Sequence, residues 1–368
     1  MKSRLLRRLE ADIASAKNPR AADCLRCERA AYLARLGEFD TARQELVAVQ
    51  QRHATRPNAG VSAWVNLGEA LVSFYSDLGP ASHDKMKRAY ALSSAVGLQP
   101  LQALSAAWLA HFAYLRMDIG LMARYATEAL SLAGEDNHGA RARATLVVAQ
   151  SYHEGGRLDL ARPWYDLARR HAAAEGDDAA LSAMMWNMAS LRVAALRQAE
   201  ALGPAHAFAG EHALLSAEST AHFDAMLGVR SLQALQPILR AQICTLLGRT
   251  EEALPLFEAH VAVSLAQGMA SAEGSLRADR AWCRLKAGHR EGAEEEAGAA
   301  EACLALAHGT FGDRAPGHSR LVQVFEVLGD AGAVLRQKQL AETTWQAHIL
   351  DQANLVDTLN REFATSRG

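Results

Sequence analysis

Between Arg141 and Asp177 the chain reads RARATLVVAQSYHEGGRLDLARPWYDLARRHAAAEGD, two amphipathic stretches of helical period on either side of a Gly-Gly turn. Ala149 and Tyr152 precede Gly156, and Ala161, Tyr165 and Ala168 follow it. A small residue lets two helices approach closely and an aromatic fills the space beside the contact. The stretch therefore predicts a pair of packed helices.

Weaker copies of this pattern tile most of the chain. Residues 1–19 predict a short capping helix, with Leu5, Leu6, Leu9 and Ile13 on one side and Asn18-Pro19 as its end. Residues 20–331 predict the array. Its turns fall at Gly37, at the irregular Asp77-Leu78-Gly79-Pro80, at Met117-Asp118, at Gly156, at Gly203-Pro204, and at Gly248, Gly288 and Gly329. The second and fifth units read as longer than the others, the second by roughly one turn of its first helix. A further set of glycines, Gly97, Gly134, Gly176, Gly228, Gly268 and Gly309, sits between units, most at positions suited to the left-handed residue that closes a helix. Residues 332–368 predict one extended helix, on which Trp345, Ile349, Val356, Leu359 and Phe363 form a 4-3 seam interrupted by Gln352.

This Gly/Ala/aromatic spacing resembles the tetratricopeptide (TPR) repeat superfamily over roughly residues 20–340, and Trp64-Val65-Asn66-Leu67-Gly68 reproduces its W-x-x-L-G opening. Regular turns lie 38 to 42 residues apart, which resembles the long-repeat sensory arrays of bacterial signalling and regulatory proteins, such as those N-terminal to diguanylate cyclase domains. The resemblance implies an all-α, right-handed α-solenoid of about eight helical hairpins. It implies a concave groove lined by Asn66, Glu69, His111, Tyr114, Arg143, Gln150, His153 and Asn187. Asn66 and Asn187 occupy one slot, where an amide can donate to and accept from a ligand backbone or bond a neighbouring helix. The residue set that clamps a C-terminal carboxylate is not recognisable.

Composition agrees with an all-helical chain: half the residues are apolar, nine are proline and 6% are aromatic. The net charge of −2 argues neither for nucleic acid nor for an anionic membrane as partner; no membrane partner is expected and nucleic acid is not favoured. The Arg141, Arg143, Arg157, Arg162, Arg169 and Arg170 group is interleaved with acids and reads as surface, as does the acidic run Glu291, Glu294, Glu295, Glu296 and Glu301. The most apolar window, Leu101 to Leu115, is too short to span a bilayer and no signal peptide is evident, so a cytoplasmic protein is expected.

Catalytic and metal-binding chemistry is not indicated. Cys24 and Cys27 form the only C-x-x-C, without a second ligand pair, and read as packed thiols. The histidines form no H-E-x-x-H pattern, and there is no G-x-S-x-G or phosphate loop. No cofactor is expected. The sequence predicts a non-enzymatic protein- or peptide-binding scaffold, either a stand-alone adaptor or the sensory part of a regulatory system. The alternative is a homo-oligomeric small-molecule sensor region, dimerised through the C-terminal seam, that passes a signal to an output domain absent from this chain.

Overall fold

The computed structural model describes residues 3–77, 79, 81–203, 207–231 and 233–363. The expected turn residues Leu78 and Pro80, the break residue Pro204, and residues 364–368 lie outside that set. Among the described residues every regular element is helical, comprising seventeen α-helices and one short 3-10 turn. Contacts divide the chain into two compact units. The first is Met1–Met184 with His222–Leu232 and Leu355–Gly368; the second is Met185–Ala221 with Gln233–Asn354.

In the first unit a short helix, α1 (Arg4–Ser15), precedes four helix pairs. These are α2 (Pro19–Leu36) with α3 (Phe39–Arg52), α4 (Ala59–Asp77) with α5 (Ala81–Ala95), α6 (Gln99–Leu115) with α7 (Ile119–Leu132), and α8 (His138–Glu154) with α9 (Leu158–Glu175). Each helix packs on its pair-mate; α2 also packs on α4, and α6 on α8. Local chemistry sets the ends. Asn18 caps α2 by accepting from Arg20 N, with Pro19 at the first helical position, and Asp118 and Asn137 cap α7 and α8 in the same way.

The turns follow the sequence closely. Gly37, Gly156, Gly248, Gly288 and Gly329 all have positive φ, as do the between-unit glycines except Gly134. Met117 takes the turn position a glycine would hold and adopts φ of 55°, a conformation that a residue with a Cβ reaches only at a cost. One expectation of length is corrected. The 19-residue α4 exceeds α2, α6 and α8 by one or two residues and not by a turn. The extra spacing lies in the link 53–58 before it.

Two features distinguish this unit from a simple row of pairs. First, α8 is buried nearly all round, from Ala142 through Tyr152, as expected of a helix with neighbours on every side. Second, α1 covers more than the first pair. Leu5, Leu6 and Leu9 pack against Tyr32 and Leu36 of α2 and also against Ala179. Each such burial contributes about 1.5–3 kcal/mol, more than a helix cap supplies. Ser3 gives its hydroxyl hydrogen to the Gly176 carbonyl (3.2 Å) while accepting from the Tyr32 hydroxyl (2.6 Å). At Gly176, whose φ is 75°, a Cβ would lie 2.9 Å from Arg4 Cβ, so glycine is required by both conformation and space.

The second unit draws on α10 (Asp178–Leu202), α11 (Ala207–Leu227), α12 (Leu235–Leu246), α13 (Thr250–Ala266), α14 (Glu273–Lys286), α15 (Arg290–Ala305), α16 (Phe311–Leu328) and α17 (Ala331–Phe363). The expected long helix of pair five is α10, at 25 residues, and the extended C-terminal helix is α17, at 33. Pairs α12/α13 and α14/α15 pack internally, and α14 packs on α16. Thr310 and Asp313 form a reciprocal capping box that starts α16. Among the described residues, α10 alone has the length and mean hydropathy (1.2) of a bilayer-crossing helix. A third of its apolar window is buried, and its Arg197 is ion-paired to Asp279 at 2.8 Å within the unit.

Candidate ligand cavity

Helices α2, α4, α6 and α8 of the first unit line a half-open cavity of about 70 Å³. Its apolar wall is formed by Trp64 and Leu67 of α4, Leu104 and Trp108 of α6, and Leu146 of α8. Its polar wall carries Arg143 of α8, with Arg35 and Glu28 of α2 and Asp177 just before α10. On a scale where one water needs roughly 10–15 Å³, the space exceeds a single solvent molecule several-fold.

The two arginines are in unlike situations. Arg35 donates through both terminal nitrogens to Asp177, at 2.6 and 2.9 Å, and lies over the Tyr32 ring at 5.6 Å. Burial works against its charge, but the Asp177 carboxylate outweighs that and holds its pKa above the ordinary guanidinium value. Arg143 is 5% exposed, and among the described residues no carboxylate lies within ion-pair distance of it, the carboxylate whose charge acts on it being Asp177. Its guanidinium carbon sits 3.9 Å from the centroid of the Trp108 ring, and the Tyr75 side chain is its hydrogen-bond partner. Burial, aided by the neighbouring Arg35, pulls its pKa below the usual value even though Tyr75 and Asp177 oppose the shift. A cation–π contact of this kind is worth about 2 kcal/mol when desolvated, against several kcal/mol to bury an unpaired ion. The contact does not compensate the charge.

The second unit handles the same problem differently. There Asp279 lies between Arg197 (2.8 Å) and Arg320 (3.1 Å), and Arg320 also meets Glu200 (2.9 Å), so two buried cations face two carboxylates. In the second unit Arg192 also lines a pocket, where it is half-buried and donates to Ser216 Oγ at 2.9 Å. Among the described residues, the guanidinium that is both buried and at a cavity wall without a carboxylate at ion-pair distance is Arg143 of the first unit.

The expected groove residues separate into three groups. Arg143 lines the cavity, and His111 stands next to it, its ring 5.7 Å from that of Trp108. His111 is buried with Nδ1 unpartnered, and burial together with the Arg143 charge holds its pKa well below the ordinary range. Tyr114 stacks on His111, centroids 6.4 Å apart. Gln150 is buried farther along α8, its Oε1 without a partner. The others have internal work. Asn66 donates to Ser62 O of its own helix at 2.8 Å; Glu69 accepts from Gln50 and Lys85; a ring nitrogen of His153 meets the Tyr165 hydroxyl at 3.1 Å. Asn187 is half-buried in the second unit and lines no part of this cavity.

Surface expectations need two corrections. Arg143 is buried, because α8 presents no broad solvent face. Glu296 is buried too, receiving Arg277, Arg280 and Arg284 at 3.1, 2.5 and 3.3 Å, while Glu291, Glu294 and Glu295 are exposed. Cys24 is half-buried and Cys27 fully buried, and burial pushes both thiols up, away from the reactive thiolate. Among the described residues no three His, Cys, Asp or Glu side chains group in a way that could hold a metal.

The C-terminal seam is largely occupied by the chain itself. Trp345 is buried against Ala315 and Ala341 and donates to Ser319 Oγ at 2.8 Å. Leu359 is fully buried, and Phe363 meets Trp164 of α9 edge-on with centroids 5.4 Å apart. Val356 is half-buried, and only Ile349 is exposed, at 43%. The 4-3 spacing that suits a partner helix suits the chain's own helices equally well.

Sequence reasoning missed Arg35, Asp177, Glu28 and Tyr32. The available signal was Tyr32 and Arg35 at i, i+3 on the α2 face that also carries Glu28. No protein-family profile matches the chain, and no curated protein does.

Proposed function

We propose that this chain is a non-catalytic, ligand-binding helical-repeat module. In this reading its helix pairs stack as a right-handed, TPR-like α-solenoid, acting in the cytoplasm as the sensory part of a bacterial regulatory system. The cavity between α2, α4, α6 and α8 is the ligand chamber. The observation that carries this is the buried Arg143 guanidinium, seated against Trp108, where the polar wall of the cavity meets its apolar wall. Burying an unpaired charge costs stability, and sites that carry such a cost are enriched in function. The five free cysteines suit a reducing compartment.

The reading is tested by exposing the purified chain to a small-molecule extract of its source cells and recording native mass spectra. A stoichiometric added mass is expected, absent from Leu104→Trp, which fills the cavity. Spectra free of any adduct, or an adduct retained by Leu104→Trp, would count against the chamber. A peptide ligand gripped by Asn66 has less support, since that amide is engaged within its own helix.

A further inference from the structure

We infer that the ligand of the first-unit cavity is a monoanion with an apolar body, a carboxylate held by the Arg143 guanidinium with its hydrocarbon part against Trp64, Leu104 and Leu146. The inference rests on the cavity being the ligand chamber and adds the chemical class of what it takes.

Three observations select the class. The first is charge. The Arg35–Asp177 and Arg8–Glu175 pairs are each internally neutral, which leaves Arg143 as one unit of positive charge at the wall while Glu28, its carboxyl pushed up to about 7 by burial, is protonated. One entering negative charge neutralises the site. A second would face Asp177 and Glu28, and also Glu175, which lines the same cavity. Phosphate monoesters and dicarboxylates are therefore disfavoured. The second is geometry. A guanidinium is a planar fork of donors that matches a carboxylate with two parallel hydrogen bonds, and its flat face is already seated on Trp108 at 3.9 Å. Trp108 covers one side of the guanidinium, and the donors not directed at Tyr75 are left for a ligand. The third is the wall opposite the charged groups, where the indoles of Trp64 and Trp108 with Leu67, Leu104 and Leu146 offer an alkyl or aryl body an apolar surface.

Such a carboxylate has two sources, a free small acid or the C-terminus of a peptide. The Arg35–Asp177 pair at the wall favours a free acid, whose body extends toward the open side of the cavity. A peptide terminus would place its preceding residues across that pair.

The test uses the full chain and isothermal titration calorimetry with phenylacetate and hexanoate. Phenylacetamide serves as the uncharged match, phenyl phosphate as the dianion, and a tetrapeptide ending in leucine, with free or amidated terminus, as the peptide arm. The expected result is binding of the monocarboxylates with at least tenfold preference over the amide and the phosphate, lost in Arg143→Met. Arg143→Met should retain its helicity and melt a few degrees higher than the parent, since it removes an uncompensated buried charge. A merely structural arginine would give the opposite shift. Equal binding of phenylacetate and phenylacetamide would overturn the carboxylate assignment while leaving the chamber in place. Silence from every probe, with an adduct still seen in native spectra, would do the same. Tighter binding of the free-terminus peptide than of either acid would keep the carboxylate and reassign its source. Leu104→Trp, which keeps Arg143, should abolish binding; if it does not, the carboxylate sits elsewhere and the inference fails.

Discussion

Arg35 meets Asp177 through two parallel hydrogen bonds, 2.6 and 2.9 Å long, although 142 positions separate them. Both side chains are nearly buried, at 11% and 7% exposure, so the pair is shielded from the solvent screening that makes surface pairs weak. Asp177 also accepts from Ala180 N, where it caps α10. It therefore joins the first helix pair to the end of the fourth.

Asp177→Asn should cost about 3–5 kcal/mol, because it strands the Arg35 charge in a buried site. Chemical denaturation followed by circular dichroism reads this directly. A loss below about 1 kcal/mol, the range of an exposed ion pair, would mean that the two groups are not held together in solution.

Glu28 sets a pH dependence. Burial, reinforced by the Glu175 carboxylate, pushes its carboxyl up to about 7. A raised folded-state value means that the folded chain binds more protons than the unfolded chain between the ordinary 4.5 and about 7. The associated stability is fully present below that window and is lost as pH rises through it. Glu28→Gln should match the parent near pH 4.5 and exceed it above pH 8 by on the order of 2 kcal/mol, in thermal melts across that range. Parallel curves for the two proteins would place Glu28 in water.

Met117 stores a small strain at φ of 55°. Met117→Gly should stabilise the chain by about 0.5–1 kcal/mol, the left-handed penalty less the greater backbone freedom that glycine loses on folding. A destabilised variant would show that the methionine side chain contributes more by packing than its backbone costs.

The tip of α17 belongs to the first unit. Asn360 Oδ1 accepts from the Tyr152 hydroxyl at 3.2 Å, and Leu359 and Phe363 are buried. Leu359→Ala should cost about 2–5 kcal/mol and raise amide hydrogen exchange in α8 and α9. Exchange that rises only within α17 would mean that its tip does not support those helices.

Much of this was legible in the sequence because it is local. The Gly156 and Gly329 turns, the substitution of Met117 for a turn glycine, and the length of α17 all follow from periodicity and backbone preference. So does the placement of His111, Arg143 and Gln150 on the inner helices. The other half of the cavity was not legible. Tyr32 and Arg35 reach it from the first helix pair and Asp177 from the end of the fourth, and spacing within one pair does not report a contact of that range. For the same reason the sequence could not tell that the α17 seam would be filled by the chain's own Trp164 and Ala315 rather than by another copy.

The contacts of α1 with Gly176 also fix a number. An open array lengthens or shortens by whole repeats with little penalty, because each repeat meets only its neighbours. Here Ser3 and Arg35 must reach Gly176 and Asp177 across four pairs. Duplicating or deleting one pair between them would carry those partners out of register. Gaining or losing a pair would therefore break the Ser3–Gly176 and Arg35–Asp177 contacts together, a constraint that an open row of pairs does not carry.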